Sequence, residues 1–556
     1  MPEPWPLEWM VPGPPRGLDA GEDLTVGVVA PSGASAAVPA YRGGDGEWRV
    51  RYAPRETGRH RWFVEPGAPG ARGPGSTSGP HGTFEVLHLP QTGLRRPQGG
   101  LRVSPDRRHL EQIDGTPFFW LADTWWMALS TRLAWPDEFA ALTRDRVEKG
   151  FTVIQLVAGL FPDMDFFDRR GANEAGLAIH PDGTVNPAFF DAADGRIAHL
   201  VEAGLVPCIV GAWGQYLDLL GLAGMRRYWR NLVARYAAYP VVWCIAGEAS
   251  RRIAWLSNDA EANARRRGWT EVARYVRSID PVGHPITIHG MAAGRPEVDS
   301  ADVLDLDLLQ IGHFGRDSIR DLVDMVQASY ASEPVMPTIV GEGNYEGLLG
   351  ESWEDVQRGG FWMAMLNGAA GHTYGAEGIF QLNGSAEAFG TSPGGHSWGN
   401  TPWPVAAQRP GARQVGIGRS ILERYPWASM APHPEWVRSE WPQLWYEERH
   451  VTVHEPSWRA ADGFQAYAAG IPGRLRIIYS PRQFEGPLVT GLEPDARYVA
   501  CYINPRDGAE YRIGPVTPDE HANWRPPMAP LAQDWVLILE TEGVRYDARG
   551  PATQRA

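Results

Sequence analysis

Lysine is almost missing from this 556-residue chain. Of its 52 basic residues only Lys149 is lysine, which reads as the codon bias of a GC-rich genome, and 66 acidic residues bring the formal net charge to -14. Phosphate backbones are bound by basic surface, so this balance argues against nucleic acid as a partner. Cysteine is scarce as well. Cys208, Cys244 and Cys501 are odd in number, widely spaced and set in strand-like stretches, so neither a disulfide framework nor a zinc site is expected. No run of 18 apolar residues is present, which leaves no candidate membrane span. The N-terminus, Met1-Pro-Glu-Pro-Trp-Pro, lacks the charged and apolar regions of a secretion signal, and a cytoplasmic location is the resulting expectation.

What is abundant points elsewhere. A 43% hydrophobic fraction supports a large core, and the length predicts two to four domains. Tryptophan is the outlier at 24 copies. Several (Trp125, Trp126, Trp213, Trp398, Trp403) sit in polar or Gly/Pro-rich segments, where an indole face suits the C–H face of a sugar ring. Core packing is the competing explanation for about half of them.

Texture divides the chain in three. Residues 1–95 show period-2 pieces such as Glu47-Trp-Arg-Val-Arg-Tyr between Gly/Pro clusters, the pattern of a small β-sandwich, with a loop expected at Gly67–Gly82. Residues 431–548 return to that texture, as in Leu475-Arg-Ile-Ile-Tyr, and predict a second β-sandwich, with the last residues from Gly550 disordered. Between them, 96–430 alternates strand and helix patterns. Eight strand candidates are Phe118–Asp123, Thr152–Val157, Val206–Val210, Val241–Ile245, Pro285–His289, Leu308–Ile311, Thr338–Val340 and Ala370–Tyr374. Helices such as Pro136–Glu148, with Phe139, Leu142 and Val147 as its apolar set, fall between them. The expected fold class is α/β, a (β/α)8 TIM barrel flanked by two β-domains. An open doubly wound sheet is the alternative, but no Gly-rich phosphate loop follows any strand.

Two of these strands end alike. Pro240-Val-Val-Trp-Cys-Ile-Ala-Gly-Glu248 and Pro337-Thr-Ile-Val-Gly-Glu342 are apolar runs closed by Gly-Glu. Strands four and seven of a barrel face each other across its mouth, at the C-terminal rim where such folds place chemistry. Two converging carboxylates suit glycoside hydrolysis, which needs one proton donor and one nucleophile or base. Glu248 is the expected acid/base and Glu342 the expected nucleophile of a retaining reaction. Trp213 and Trp243 give the acid apolar cover if they face the mouth. Candidate substrate-binding residues are Asp123, Trp125, Trp126, Gln155, Trp213, His289, His313, Tyr345, His372 and Tyr374, with Tyr345 placed to donate to Glu342. For each, a satisfied rim residue is the equal alternative.

No metal or other cofactor is expected. Asp163, Asp165 and Asp168 lack the glycine and terminal Glu of a calcium loop. His450 and His454 lie on a strand-like stretch, roughly 13 Å apart, too far to share one ion. A carbohydrate-binding protein without turnover is the other functional reading, with the tryptophans as its surface.

Leu121-Ala-Asp-Thr-Trp-Trp126, Trp243-Cys-Ile-Ala-Gly-Glu248 and Gly341-Glu-Gly-Asn-Tyr-Glu346 resemble the apiosidase-like barrel of glycoside hydrolase family 140. Gln408-Arg-Pro-Gly-Ala-Arg-Gln414 followed by Pro426-Trp resembles the segment that closes that barrel. Residues 440–540 are similar to the β-domain, named for collagen binding, that often follows it, and residues 20–90 to the β-sandwich that often precedes it. The resemblance implies a furanosidase or related exo-acting enzyme on a branched glycan. In that family the fourth-strand motif is Gly-Gly-Asp with Asp as acid/base. Here it is Ala-Gly-Glu248, so the role carries over by position with a side chain one methylene longer.

Overall fold

The structure is a computed structural model, and it describes residues 5–12, 23–64, 80–91, 93–94, 99–250, 259–438, 465–481 and 486–543. Most of the expected Gly67–Gly82 loop, His450, His454 and the final residues lie outside that set.

Eight parallel strands close into a barrel in sequence order. They are β1 (Trp120–Thr124), β2 (Val153–Val157), β3 (Val206–Val210), β4 (Val242–Gly247), β5 (Ile286–His289), β6 (Asp307–Gln310), β7 (Thr338–Glu342) and β8 (Gly371–Tyr374). All are buried nearly throughout, as expected of parallel strands covered on both faces. The outer layer holds α1 (Asp137–Glu148), α2 (Pro187–Glu202), α3 (Tyr216–Tyr236, broken at Gly221), α4 (Asp259–Ile279), α5 (Ser318–Ala331), α6 (Glu354–Leu366), α7 (Trp403–Ala406) and α8 (Pro410–Leu422). The strand–helix alternation fails once. Between β5 and β6 the chain makes two 3-10 turns, Arg295–Glu297 and Ala301–Val303, instead of an α-helix. No helix among the described residues is long and apolar enough to cross a membrane.

In α1 the inward face differs from the apolar set expected. Phe139 and Leu142 are buried, but Val147 is 42% exposed and Arg146 is fully buried. A polar contact outweighs hydrophobicity here: the Arg146 guanidinium reaches Asp123 on β1 at 2.6 Å.

The N-terminal region forms two antiparallel sheets over a shared core that includes Val26, Val28, Val38 and Val50. It is fastened to α3 by polar bonds. Arg51 donates to the Arg235 carbonyl at 2.7 Å and pairs with Asp194 at 2.8 Å. The C-terminal region is built on a six-stranded antiparallel sheet. Strand alternation splits Leu475–Ser480 between two faces. Ile478 enters that region's own core, whereas Ile477 and Tyr479 join the barrel's. Tyr479 stacks on Trp362 of α6 at 6.1 Å, and Arg358 of α6 pairs with Asp534 at 2.6 Å.

Both Gly-Glu strand ends carry one residue too many. On β7, Leu309 pairs with Val340 but Gln310 with Glu342, so Gly341 is a bulge. On β4, Cys244 pairs with Thr287 and Gly247 with His289, again one extra residue. A bulge resets which face the next side chain takes. Thr338 bonds Ser329 of α5 at 2.9 Å and so faces outward, and simple alternation would turn Glu342 outward too. The extra residue returns it to the mouth. Gly341 must be glycine there, since a Cβ would stand 2.2 Å from Leu308 Cγ.

Candidate active site

Glu248 and Glu342 meet at the C-terminal mouth of the barrel, 8% and 5% exposed. Gln310, ending β6, lies between them. Its Nε2 is 3.2 Å from Glu248 Oε1 and 3.2 Å from Glu342 Oε1, so one amide group donates to both carboxylates. Trp213 Nε1 donates to Glu248 Oε2 at 3.2 Å. His313 Nε2 is 2.9 Å from Glu342 Oε1, and His289 Nε2 is 3.2 Å from Glu342 Oε2.

The electrostatics of Glu342 follow from these neighbours. Burial alone would raise its carboxyl, but His289 and His313 outweigh burial and hold it well below the usual carboxylate range. It is therefore an anion at neutral pH. The Tyr345 hydroxyl is pushed well above its ordinary value by burial and then by the Glu342 charge, so it remains a donor. Its ring lies tilted against His313 and stacked on Phe380, each at 4.6 Å. Trp126 and Trp213 pack edge-to-face at 5.5 Å, and both lie against His289. Gln310 Oε1, His313 Nδ1 and Gln155 Oε1 are buried with no hydrogen-bond partner among the described residues. Buried polar atoms left this way suit a ligand rich in hydroxyl groups.

The structure thus gathers Trp126, Trp213, His289, His313 and Tyr345 around the two glutamates. Gln155 lies in the barrel interior beneath them, donating to the Gly341 carbonyl at 2.7 Å. Four candidates point elsewhere. Asp123 faces outward to Arg146 and takes the Trp125 Nε1–H at 2.7 Å, which also removes Trp125 from the mouth. Burial pushes the Asp123 carboxyl up against the Arg146 charge. His372 packs on Phe361 of α6 at 5.8 Å, and burial holds its pKa down at about 3. Tyr374 donates to Glu346 at 2.5 Å. Trp243 likewise turns away from the mouth, donating to Asp280 at 3.0 Å, so of these two tryptophans it is Trp213 that reaches Glu248.

Gln310 was not among the residues the sequence singled out. Its signal was available: it is the polar residue closing an apolar strand, the same mark that drew attention to the two glutamates. Among the described residues no group of three or more His, Cys, Asp and Glu side chains is arranged to hold a metal ion. Asp168 pairs with Arg170 at 2.6 Å.

Comparison with known proteins identifies the family. Residues 104–429, more than half of the chain, match the family described as "Apiosidase-like, catalytic domain". The chain belongs to the apiosidase-like family. The apiosidase-like match covers the whole barrel, and a glycosidase-type catalytic domain is thereby identified. Among solved structures, a glycoside hydrolase family 5 protein from Bacteroides vulgatus ATCC 8482 is 21% identical, with a TM-score of 0.64 over 82% of this chain and 95% of that one. A protein named simply glycoside hydrolase is also 21% identical, with a TM-score of 0.61 over 81% and 98%. A second Bacteroides vulgatus protein, 17% identical, covers 96% of this chain and 98% of its own, again at 0.64. These likenesses show that the fold recurs. No curated protein matches the chain.

Proposed function

We propose that the protein is a retaining glycoside hydrolase acting on a glycosidic, furanosidic bond of an oligosaccharide or glycan side chain. Glu342 attacks the anomeric carbon while Glu248 gives its proton to the departing oxygen, and the sugar–oxygen bond breaks. Water, giving its proton to Glu248, then displaces Glu342 and releases the sugar. The observation that carries this reading is the shared Gln310 amide. Two oxygens each 3.2 Å from one nitrogen stand at most about 6.4 Å apart, which brings both carboxyls within reach of one glycosidic bond and favours the closer spacing of a retaining pair. The anionic state of Glu342 suits a nucleophile, and the Trp213 indole N–H orients the Glu248 carboxyl. The furanosidic preference rests on membership of the apiosidase-like family. Proton NMR of the first product formed, before mutarotation, tests the stereochemistry. The substrate's own anomer is expected, and the opposite anomer refutes double displacement.

The histidines set a pH limit. A depressed nucleophile pKa keeps activity as pH falls, until the carboxylate takes up a proton. His313→Ala removes one of the groups that hold Glu342 down and leaves the burial that pushes it up. The acid limb of kcat/KM is therefore expected to move to higher pH in His313→Ala, by about one unit or more for a lost contact of 1.4 kcal/mol. An unmoved acid limb would show that the nucleophile does not set it.

A further inference from the structure

Glu248 has φ of +44°, a left-handed backbone that a residue with a side chain adopts only when its surroundings impose it. Four hydrogen bonds impose it. On the β3 side, Gly247 donates to the Ala212 carbonyl at 2.9 Å and Gly214 donates to the Gly247 carbonyl at 2.8 Å. On the β5 side, Ala249 donates to the His289 carbonyl at 3.4 Å and Ser250 donates to Glu297 Oε2 at 2.6 Å. Of the four, only the last uses a side chain, and it is the shortest. The acceptor is a carboxylate, which makes such a bond about twice as strong as a neutral one.

Glu297 comes from the β5–β6 connection, the one place where the barrel gives up its helix. That connection is fixed at both ends. Asp307 accepts from the Gly294 and Arg295 amides at 3.0 and 3.1 Å, and Gln310 donates its amide to the Ala292 carbonyl at 2.8 Å. Glu297 is 5% exposed, and its Cγ fills the space beside Gly290, where a Cβ would stand only 2.7 Å away. The same short loop thus touches the backbone of Gln310 and holds the residue two positions past Glu248.

We infer that Glu297 is a positioning residue for proton transfer: its carboxylate holds the Ser250 amide and so keeps Glu248 in the backbone conformation that aims it at the departing oxygen. This rests on the reading of Glu248 as acid/base. Glu297 does not touch the substrate. A helix in this connection would face the outer layer, whereas the loop turns inward and delivers a carboxylate to the neighbouring strand end.

The test separates aim from general damage. Phenyl and 2,4-dinitrophenyl glycosides are prepared for the sugar that the wild-type protein cleaves fastest. Phenoxide needs a proton to leave, and 2,4-dinitrophenolate does not. Glu297→Ala is expected to lower kcat on the phenyl glycoside on the order of 10–10²-fold, with KM within about threefold, because small misplacements of a catalytic group carry losses of that size. On the dinitrophenyl glycoside kcat/KM, which reports only formation of the glycosyl-enzyme, is expected to stay within about threefold of wild type, since proton donation contributes little to that step. Glu297→Gln keeps an acceptor oxygen and is expected to restore most of the phenyl activity. Should the alanine protein fail to fold, Glu297→Asp carries the same readout, being too short to reach Ser250. Equal losses on both glycosides, or no loss on either, overturn the inference. Glu248→Ala is measured beside them. If it shows the leaving-group dependence and Glu297→Ala does not, only this inference falls. If Glu248→Ala shows no loss at all, the acid/base reading falls and this inference with it.

Discussion

Glu342→Ala is expected to lower kcat on the order of 10⁴–10⁶-fold, the loss seen when a covalent nucleophile is removed from a site whose other groups remain. Removing Glu342 leaves His289 and His313 facing an empty space rather than a carboxylate. The vacated volume admits a small anion. Added azide is expected to restore turnover of an activated aryl glycoside and to yield a glycosyl azide of inverted configuration, because the azide enters from the face that Glu342 served. Thermal unfolding measured on the same sample separates lost chemistry from lost structure. A Glu342→Ala protein with wild-type turnover would remove the central assignment, and the carbohydrate-binding reading would then replace it.

Gln310→Glu is expected to cause the next largest loss. The substitution keeps the shape and exchanges a two-hydrogen donor for a third carboxyl group, 3.2 Å from an oxygen of each glutamate. Three carboxyls in contact cannot all ionise, so at least one takes up a proton near neutral pH. Two hydrogen bonds are lost as well, the one to the Glu342 anion contributing about 1.5–3 kcal/mol and the one to Glu248 about 0.5–1.5 kcal/mol. At 1.4 kcal/mol per tenfold, kcat/KM should fall roughly 10–10³-fold, and its pH profile should change shape because the coupled groups titrate together. Steady-state kinetics across pH measures both effects. A loss within threefold would show that the shared amide does not hold the pair, and the argument from their spacing would go with it.

The outward turn of three candidates has one physical origin. Asp123 and Tyr374 lie at strand ends, as Glu248 and Glu342 do, and His372 lies two residues before Tyr374 on β8. Strand ends are visible as the place where an apolar run meets a polar residue. Which face that residue takes depends on the count of residues along the strand. On β1 and β8 the count is regular: Leu121 pairs with His372 and Asp123 with Tyr374, and Asp123, His372 and Tyr374 turn toward the helices. On β4 and β7 a bulge shifts the count by one. No signal in a single strand announces its neighbour's register, so the bulge, and with it the inward turn of Glu342, was not readable there. Val147 failed for a related reason. Helical period gave it an inward place, but Arg146 took that place to meet Asp123, a partner on another element.

By itself the sequence determined the eight buried strands, the β-texture on either side of them, and the two Gly-Glu ends that mark the mouth, because apolar runs, turn residues and their abrupt polar stops act through local chain geometry. Only the tertiary structure decided that Gln310 stands between the glutamates, that Trp213 rather than Trp243 reaches Glu248, and that Glu297 braces its backbone. Those relations link residues on different strands, and they depend on pairing register, which local sequence does not encode.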